Sequence, residues 1–388
     1  MTPMSPTRRT ILAAGGASAL AAAAPATTAS AASATSPTAS TAPALRFRPD
    51  GTFRILQVND TQDTEHTDVR TVQLITRAIQ REQPDLVVFV GDNLNGGPST
   101  RTAAMQALNN IIAPVEAAGV PWAATFGNHD EDSTPKTGWG EPEMLAFFRR
   151  YPHNVNPVGA QGITGTGNGV VPVTAAFGSR TAFNVWLIDS GRYAPDKIAG
   201  QDFEGYPDWD WIRADQVEWY LERSRRDEQE RGRKVPGLLF CHIPLWEHRF
   251  MWWASVDSRT EADHARAVAK HHIVGERNED ECPGPFNSGL YSALQHRGDV
   301  TGVFCGHDHV NTYVGNYYGI RLGYGPGSGF GTYGLGGADN HRLRGTRAFV
   351  VRENGTWSTR TVFAGDLGID LSEEPQPGEP APLPRWAV

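Results

Sequence analysis

Six short apolar runs punctuate the chain, at 53–58, 86–90, 122–126, 183–188, 238–241 and 300–305. They are rich in Val, Leu, Ile and Phe, and most run continuously instead of alternating apolar with polar. Strands buried on both faces read this way, whereas a half-exposed strand alternates with period two. Between the runs lie segments with helical spacing. Over 69–82 the pattern puts Val72, Ile75 and Ile79 on one face, and 100–118, 214–229 and 288–296 also predict helices. Strand, helix and strand in succession imply right-handed crossovers and a largely parallel sheet. Beyond residue 310 the style changes. Glycine-rich turns separate short alternating runs near 312–318, 347–352 and 358–363, which predict antiparallel pairing. A sheet-on-sheet α/β core flanked by helices accommodates both styles.

The two ends of the chain differ from this middle. Met1 to Thr10 is short and basic, with Arg8 and Arg9 adjacent; an alanine-dominated apolar run follows at 11–24, then small residues at alternating positions over 29–34. That is the order of an export signal, so 1–34 is assigned to one. The run is too short and too weakly apolar for a membrane span. The paired arginines point to the twin-arginine route, against an ordinary secretory signal with two chance arginines. Residues 35–49 form a Ser/Thr/Ala/Pro linker, 50–365 one large domain, and 366–388 an acidic, proline-rich tail expected to be disordered. The expected location is secreted or extracytoplasmic, with no transmembrane span in the mature chain. A net charge of −8 without a basic stripe excludes a nucleic-acid footprint.

Three cysteines do not make a disulfide framework. Cys241 and Cys305 each end an apolar run and read as buried thiols. Cys282 sits in a Pro/Gly loop, where an unpaired exposed thiol fits.

Candidate chemistry gathers where the apolar runs end. In an open α/β sheet, ligands bind beyond the carboxyl ends of the strands. The first run exits into Asn59-Asp60-Thr61-Gln62-Asp63, the second into Gly91-Asp92-Asn93, and the third into Gly127-Asn128-His129-Asp130. The fifth exits into His242-Ile243-Pro244 and the sixth into Gly306-His307-Asp308-His309. Any one of these alone reads as a turn, a helix cap or a satisfied histidine. Five exits in this order, each with an oxygen or imidazole donor, read as a metal centre. His307 and His309, two apart in an extended segment, can address two neighbouring ions.

That order closely resembles the calcineurin-like metallophosphoesterase superfamily, in its branch related to purple acid phosphatases. The likeness extends to 55–58, Pro121-Trp122, Asp189-Ser190-Gly191, 287–290 and 297–311, and covers most of residues 50–365. It implies a two-sheet β-sandwich flanked by helices, mixed parallel and antiparallel, with two divalent or di/trivalent ions (Mn, Fe or Zn) at one edge. By resemblance, Asp60 and His309 hold one metal, Asn128, His242 and His307 the other, and Asp92 bridges them. His129 is the implied general acid or phosphate contact, with Asp130 a candidate to orient it. The implied reaction is hydrolysis of a phosphate ester by a metal-activated hydroxide. The implied substrate is a phosphorylated small molecule or a phosphoprotein, with pocket walls deciding between monoester and diester.

Two positions depart from the pattern. Gln62 stands where the family has a histidine ligand and offers only a neutral carbonyl oxygen, as a metal or substrate contact. If that position is crippled, the chain binds phosphorylated ligands without turnover. Asn95 stands where purple enzymes carry tyrosine, so no purple colour is implied. Trp246, Trp252 and Trp253 either wall a pocket near His242 or pack in the core or a lid. His271-His272 and the charged run 222–234 read as solvated faces. Residues 323–337 read as a loop over the site or as tight turns between strands.

Overall fold

The computed structural model describes residues 43–206, 208–254 and 258–387; the expected export signal and the start of the expected linker lie outside them. In chain order the strands are β1 (Thr52–Val58), β2 (Leu86–Val90), β3 (Trp122–Thr125), β4 (Gly169–Thr174), β5 (Thr181–Leu187), β6 (Lys197–Ile198), β7 (Gln201–Asp202), β8 (Gly237–Phe240), β9 (Val300–Cys305), β10 (Val314–Tyr317), β11 (Ile320–Tyr324), β12 (Gly345–Arg352) and β13 (Trp357–Phe363). The helices are α1 (Val69–Glu82), α2 (Arg101–Ala117), α3 (Thr134–Thr137), α4 (Glu141–Phe148), α5 (Ala214–Arg231), α6 (Trp246–Trp253), α7 (Glu261–His271) and α8 (Leu290–Arg297). One sheet has the order β13-β12-β1-β2-β3 and the other β10-β11-β9-β8-β5-β4; β6 and β7 pair apart from both.

The expected sandwich is present, and it explains the continuous apolar runs. Side chains alternate across a strand. In β1, Phe53 and Ile55 enter the core between the sheets, while Leu56 and Val58 face outward under helices. In β2, Leu86, Val88 and Val90 point inward and Val87 and Phe89 outward. In β8, Leu238 and Phe240 point inward and Leu239 outward. Three apolar layers therefore separate helices, sheet, sheet and helices. Strands β1, β2 and β3 are parallel, as are β5, β8 and β9, whereas β12 pairs antiparallel with β1 and β13 antiparallel with β12. Parallel strands send their carboxyl ends to one side, which brings the polar exits together.

Several expectations change. Strands β4 and β11 and helices α4, α6 and α7 were not legible as elements. His271 is buried, with Nδ1 2.9 Å from the Asn316 carbonyl oxygen, instead of lying on a solvated face. Most of the 222–234 run is indeed on the exposed side of α5, yet Asp227 is buried and pairs with Arg223 and Arg231. The expected linker is already part of the fold by residue 45. Leu45 and Phe47 are buried, and the Phe47 amide donates to the Thr174 carbonyl at 2.9 Å.

The expected disordered tail is an ordered strap. The Val69 amide donates to the Gln376 carbonyl at 2.7 Å and the Gly378 amide to the Thr67 carbonyl at 2.9 Å. Buried Arg70 donates to the carbonyls of Ser372 and Glu374, and Trp386 stacks edgewise on Tyr151 at 5.0 Å beneath the Arg150 guanidinium. The composition reading failed because the strap needs no core of its own; it borrows partners from α1, α2 and α4. Among the described residues, no helix is long and apolar enough to cross a membrane.

Candidate metal centre

Each strand exit uses a backbone device to aim its side chain. Asp60, Asp92 and His307 all adopt left-handed backbone conformations, with φ of 51°, 50° and 75°. Such conformations cost non-glycine residues on the order of 1 kcal/mol or more and persist where surroundings over-determine them. Glycines clear the space. At Gly91, φ is +77° and an added Cβ would fall 2.6 Å from His242 Nδ1; at Gly127 it would fall 2.3 Å from Asp92 Oδ1.

The geometry brings the five exits together. Ligand atoms of Asp92, His242 and His307 lie within 4.8 Å of one another, as do those of Asp60, Asp92 and His309. Asp92 belongs to both groups. His242 Nε2 is 3.1 Å from Asp92 Oδ2 and 3.9 Å from Asp60 Oδ1, and His309 Nε2 is 3.6 Å from Asp60 Oδ1. All of these side chains are buried, as is Asn128.

Three buried atoms have no hydrogen-bond partner here: Asn128 Oδ1, His242 Nε2 and His307 Nε2. An unsatisfied buried polar atom costs roughly 1–3 kcal/mol, and such groups are rare in folded proteins. His242 Nδ1 lies 2.9 Å from the Val90 carbonyl oxygen, so Nδ1 is its donor and Nε2 carries the lone pair in the neutral ring. That lone pair then faces a carboxylate oxygen at 3.1 Å. Two electron-rich atoms so close repel unless a proton or a cation lies between them. The donor set (carboxylate, amide oxygen, imidazole) fits a divalent or trivalent transition ion.

The electrostatics follow from burial and crowding. Burial pushes Asp60 up to about 7 against the pull of His242. Burial alone would lower His242, but Asp92 and Asp60 raise it to about 10. Burial drives His309 down to about 3 and His307 well below the usual histidine range. Asp92 is held below the usual carboxylate range: burial opposes this, but His242 outweighs it. A buried group of acids and imidazoles so displaced is a functional-site signature.

Gln62, the expected metal or substrate contact, is hydrogen-bonded to two protein groups. Its Nε2 donates to Asp92 Oδ2 at 2.6 Å, and its Oε1 accepts from the Thr332 hydroxyl at 2.5 Å. The carbonyl oxygen is thereby turned to Thr332, and the amide steadies Asp92.

Asp130 does not orient His129. It is fully buried and accepts from the amides of Gly127 and Asn93 at 2.7 and 2.9 Å, which ties two strand exits together. Burial raises it to about 7. The partner of His129 is Asp132, whose Oδ2 lies 2.5 Å from His129 Nδ1. Burial lowers His129, but Asp132 and Asp92 leave it raised overall. Arg192 holds Asp132 Oδ1 at 2.9 Å and the Asn128 carbonyl at 3.2 Å. A turn after His129 that returns position i+3 to the ring was the one available signal for Asp132.

Aromatic supports were not legible in the sequence. Trp209 meets the His307 ring edge-on at 4.6 Å, and Tyr333 stacks on His309 at 4.0 Å and 14°. Residues 323–337 supply Thr332 and Tyr333, so part of this stretch does reach the site, while its first residues belong to β11. The α6 tryptophans divide between the two expectations: Trp252 packs 4.6 Å from Tyr313, whereas Trp246 lines a small cavity with Ile243, Pro244 and Leu245, just beyond His242, and donates to the Gly284 carbonyl. Cys241 and Cys305 are buried free thiols, as expected. Cys282 is half-buried beside His307 and Asp308, not exposed, and burial raises its thiol.

A family model described as calcineurin-like phosphoesterase matches residues 53–311. An Arabidopsis thaliana protein named "Probable inactive purple acid phosphatase 14" is 34% identical over 324 residues, covering 75% of this chain and 74% of the relative. "Probable inactive purple acid phosphatase 29" from the same plant is 32% identical over 348 residues, covering 81% of each. Among solved structures, a dimetal phosphatase from Danio rerio is 16% identical with a TM-score of 0.45, covering 80% of this chain and 98% of that one.

Proposed function

The chain belongs to the calcineurin-like phosphoesterase family, and we propose that it hydrolyses a phosphate ester at a centre of two metal ions. In this reading Asp60 and His309 would hold one ion, Asn128, His242 and His307 the other, and Asp92, common to both ligand groups, would serve the two. The observation that carries it is the pair of buried ligand groups that share the Asp92 carboxylate, Asp92–His242–His307 and Asp60–Asp92–His309, with unpartnered buried atoms on His307 and, one residue before the His129 amide that bonds Asp92, on Asn128. When bound, such a pair supplies Lewis acidity for the phosphoryl oxygens and acidifies a water as nucleophile.

The chain's own residues do the rest. Asn128 adds a ligand without adding negative charge against an anionic ester. His129, outside both ligand groups and part-exposed, keeps its proton through Asp132 and passes it to the leaving oxygen. Gln62 and the His129 amide, at 2.6 and 2.9 Å, hold the two oxygens of Asp92 in place. The test is a panel of p-nitrophenyl mono- and diesters against Mn, Fe and Zn, with Asp92→Asn as control. Turnover indifferent to metal and to that substitution would refute the assignment.

A second reading has its own support. Gln62 presents no ligand atom to the Asp60–His309 side, and two relatives carry "inactive" in their names. Here the chain binds phosphorylated ligands without turnover. Absence of turnover with every metal in wild type, and its appearance in Gln62→His, would select this reading. We also propose export by the twin-arginine route, on Arg8, Arg9 and the apolar run behind them. Retention inside cells of the Arg8→Lys, Arg9→Lys chain, with wild type exported, checks it.

A further inference from the structure

A β-ribbon over residues 192–206 and 208–210 stands beside the candidate metal centre. The Ala194 amide donates to the Asp208 carbonyl at 2.6 Å and the Asp210 amide to the Arg192 carbonyl at 3.1 Å, with β6 and β7 further along. Tyr193 and Trp209 form a directly opposed antiparallel pair. Opposed residues share one face of a ribbon, and their rings are 6.0 Å apart. That face looks onto the centre. The Tyr193 hydroxyl lies 3.4 Å from Asn128 Nδ2 and 3.3 Å from His129 Nδ1 and donates to Asp132 at 3.2 Å, a bond it would exchange for one to a phosphoryl oxygen, while Trp209 abuts His307. Tyr193 is 36% exposed and Trp209 half-buried, so the pair keeps open surface above the ligands.

We propose that this ribbon is the substrate-selecting wall of the site, with Trp209 stacking a flat aryl group on the ester and Tyr193 donating to a phosphoryl oxygen. This rests on the phosphoester-binding site proposed above. The substrate class is then an aryl phosphate with no further anionic groups. Charge argues for the last point. Asp196, Asp202, Glu204 and Asp208 are exposed along the ribbon against Lys197, since Arg192 is held by Asp132 and Glu131, and Asp210 by Arg213. A polyanionic ester would meet these carboxylates.

The experiment uses the full, metal-loaded chain and the variants Trp209→Leu, Trp209→Phe and Tyr193→Phe. Phenyl phosphate, glycerol 2-phosphate and ATP are the substrates. Trp209→Leu should raise KM for phenyl phosphate about tenfold and leave glycerol phosphate nearly unchanged, with Trp209→Phe restoring most of the loss. Tyr193→Phe should lower kcat/KM about tenfold on both monoesters. ATP should be the poorest substrate of wild type. Calorimetric binding of phenylphosphonate against methylphosphonate reads the same wall without turnover. A chain that hydrolyses nothing, yet binds phenylphosphonate more tightly through Trp209, overturns the hydrolase reading and upholds this one. Equal binding of the two phosphonates, or an equal effect of Trp209→Leu on both monoesters, overturns the wall.

Discussion

The two sides of the candidate centre are built differently. On one side, Asn128 and His307 each aim a buried atom that no described residue satisfies, and His242 Nε2 faces Asp92 Oδ2 at 3.1 Å. On the other, the donors are largely engaged. Both Asp60 oxygens accept from the His307 amide, at 3.0 and 3.2 Å, and Asn59 donates to Oδ2; the Gln62 carbonyl is taken by Thr332. A site whose ligands lack partners is pre-organised for a cation and gains the most from one. A site whose carboxylate already accepts from Asn59 and the His307 amide must rearrange those bonds first. The difference teaches that affinity should be unequal, with the Asn128–His242–His307 side binding first and holding longest.

Breaking the shared element should have the largest effect. Asp92→Asn removes a carboxylate from both sides, and esterase activity should fall on the order of a thousandfold, with both ions lost in metal analysis. Next come the sides taken separately. His242→Ala should remove the tightly held ion after dialysis, while His309→Ala should leave it in place; the reverse result would break the comparison. Gln62→His sharpens it by supplying an imidazole to the weak side. Metal titration should show that side tightening about tenfold or more, the scale by which ligand-shell changes move metal affinity.

The smallest effect concerns His129. Its proton is retained by Asp132, so its pKa is raised in the folded protein. The general acid is then available at low pH and lost as pH rises through that raised value. Asp132→Asn should lower kcat about tenfold and move the alkaline fall of the pH–rate profile to lower pH. An unmoved profile would show that His129 is not the acid.

The difference between the sides was half visible in the sequence. The exits themselves were plain, because a buried strand is a continuous apolar run and its end is the first polar residue after it. Asp60, Asp92, Asn128, His242, His307 and His309 all stand at such ends. Gln62 was conspicuous as a departure, but its bonding to Asp92 and Thr332 depends on a residue 270 positions away. Distance along the chain also hid Trp209 and Tyr333. Asp130 was the expected partner of His129, whereas the turn after Asn128 buries that carboxylate and returns Asp132 to the ring. Helices α6 and α7 escaped because tryptophans and histidines on a short helix obscure its period. The strap at 366–387 escaped because its partners lie on other elements.

Sheet order has one more consequence. β1, which delivers Asp60, lies between β2 and β12. During synthesis β2 emerges soon after it, but β12 emerges nearly three hundred residues later. Until then one edge of β1 has no partner strand, and Arg70 lacks the carbonyls of 372 and 374. The nascent chain therefore leaves the ribosome almost whole before the strand bearing Asp60 is clamped on both edges, and premature termination near residue 340 should yield a chain with an open sheet edge, prone to aggregate.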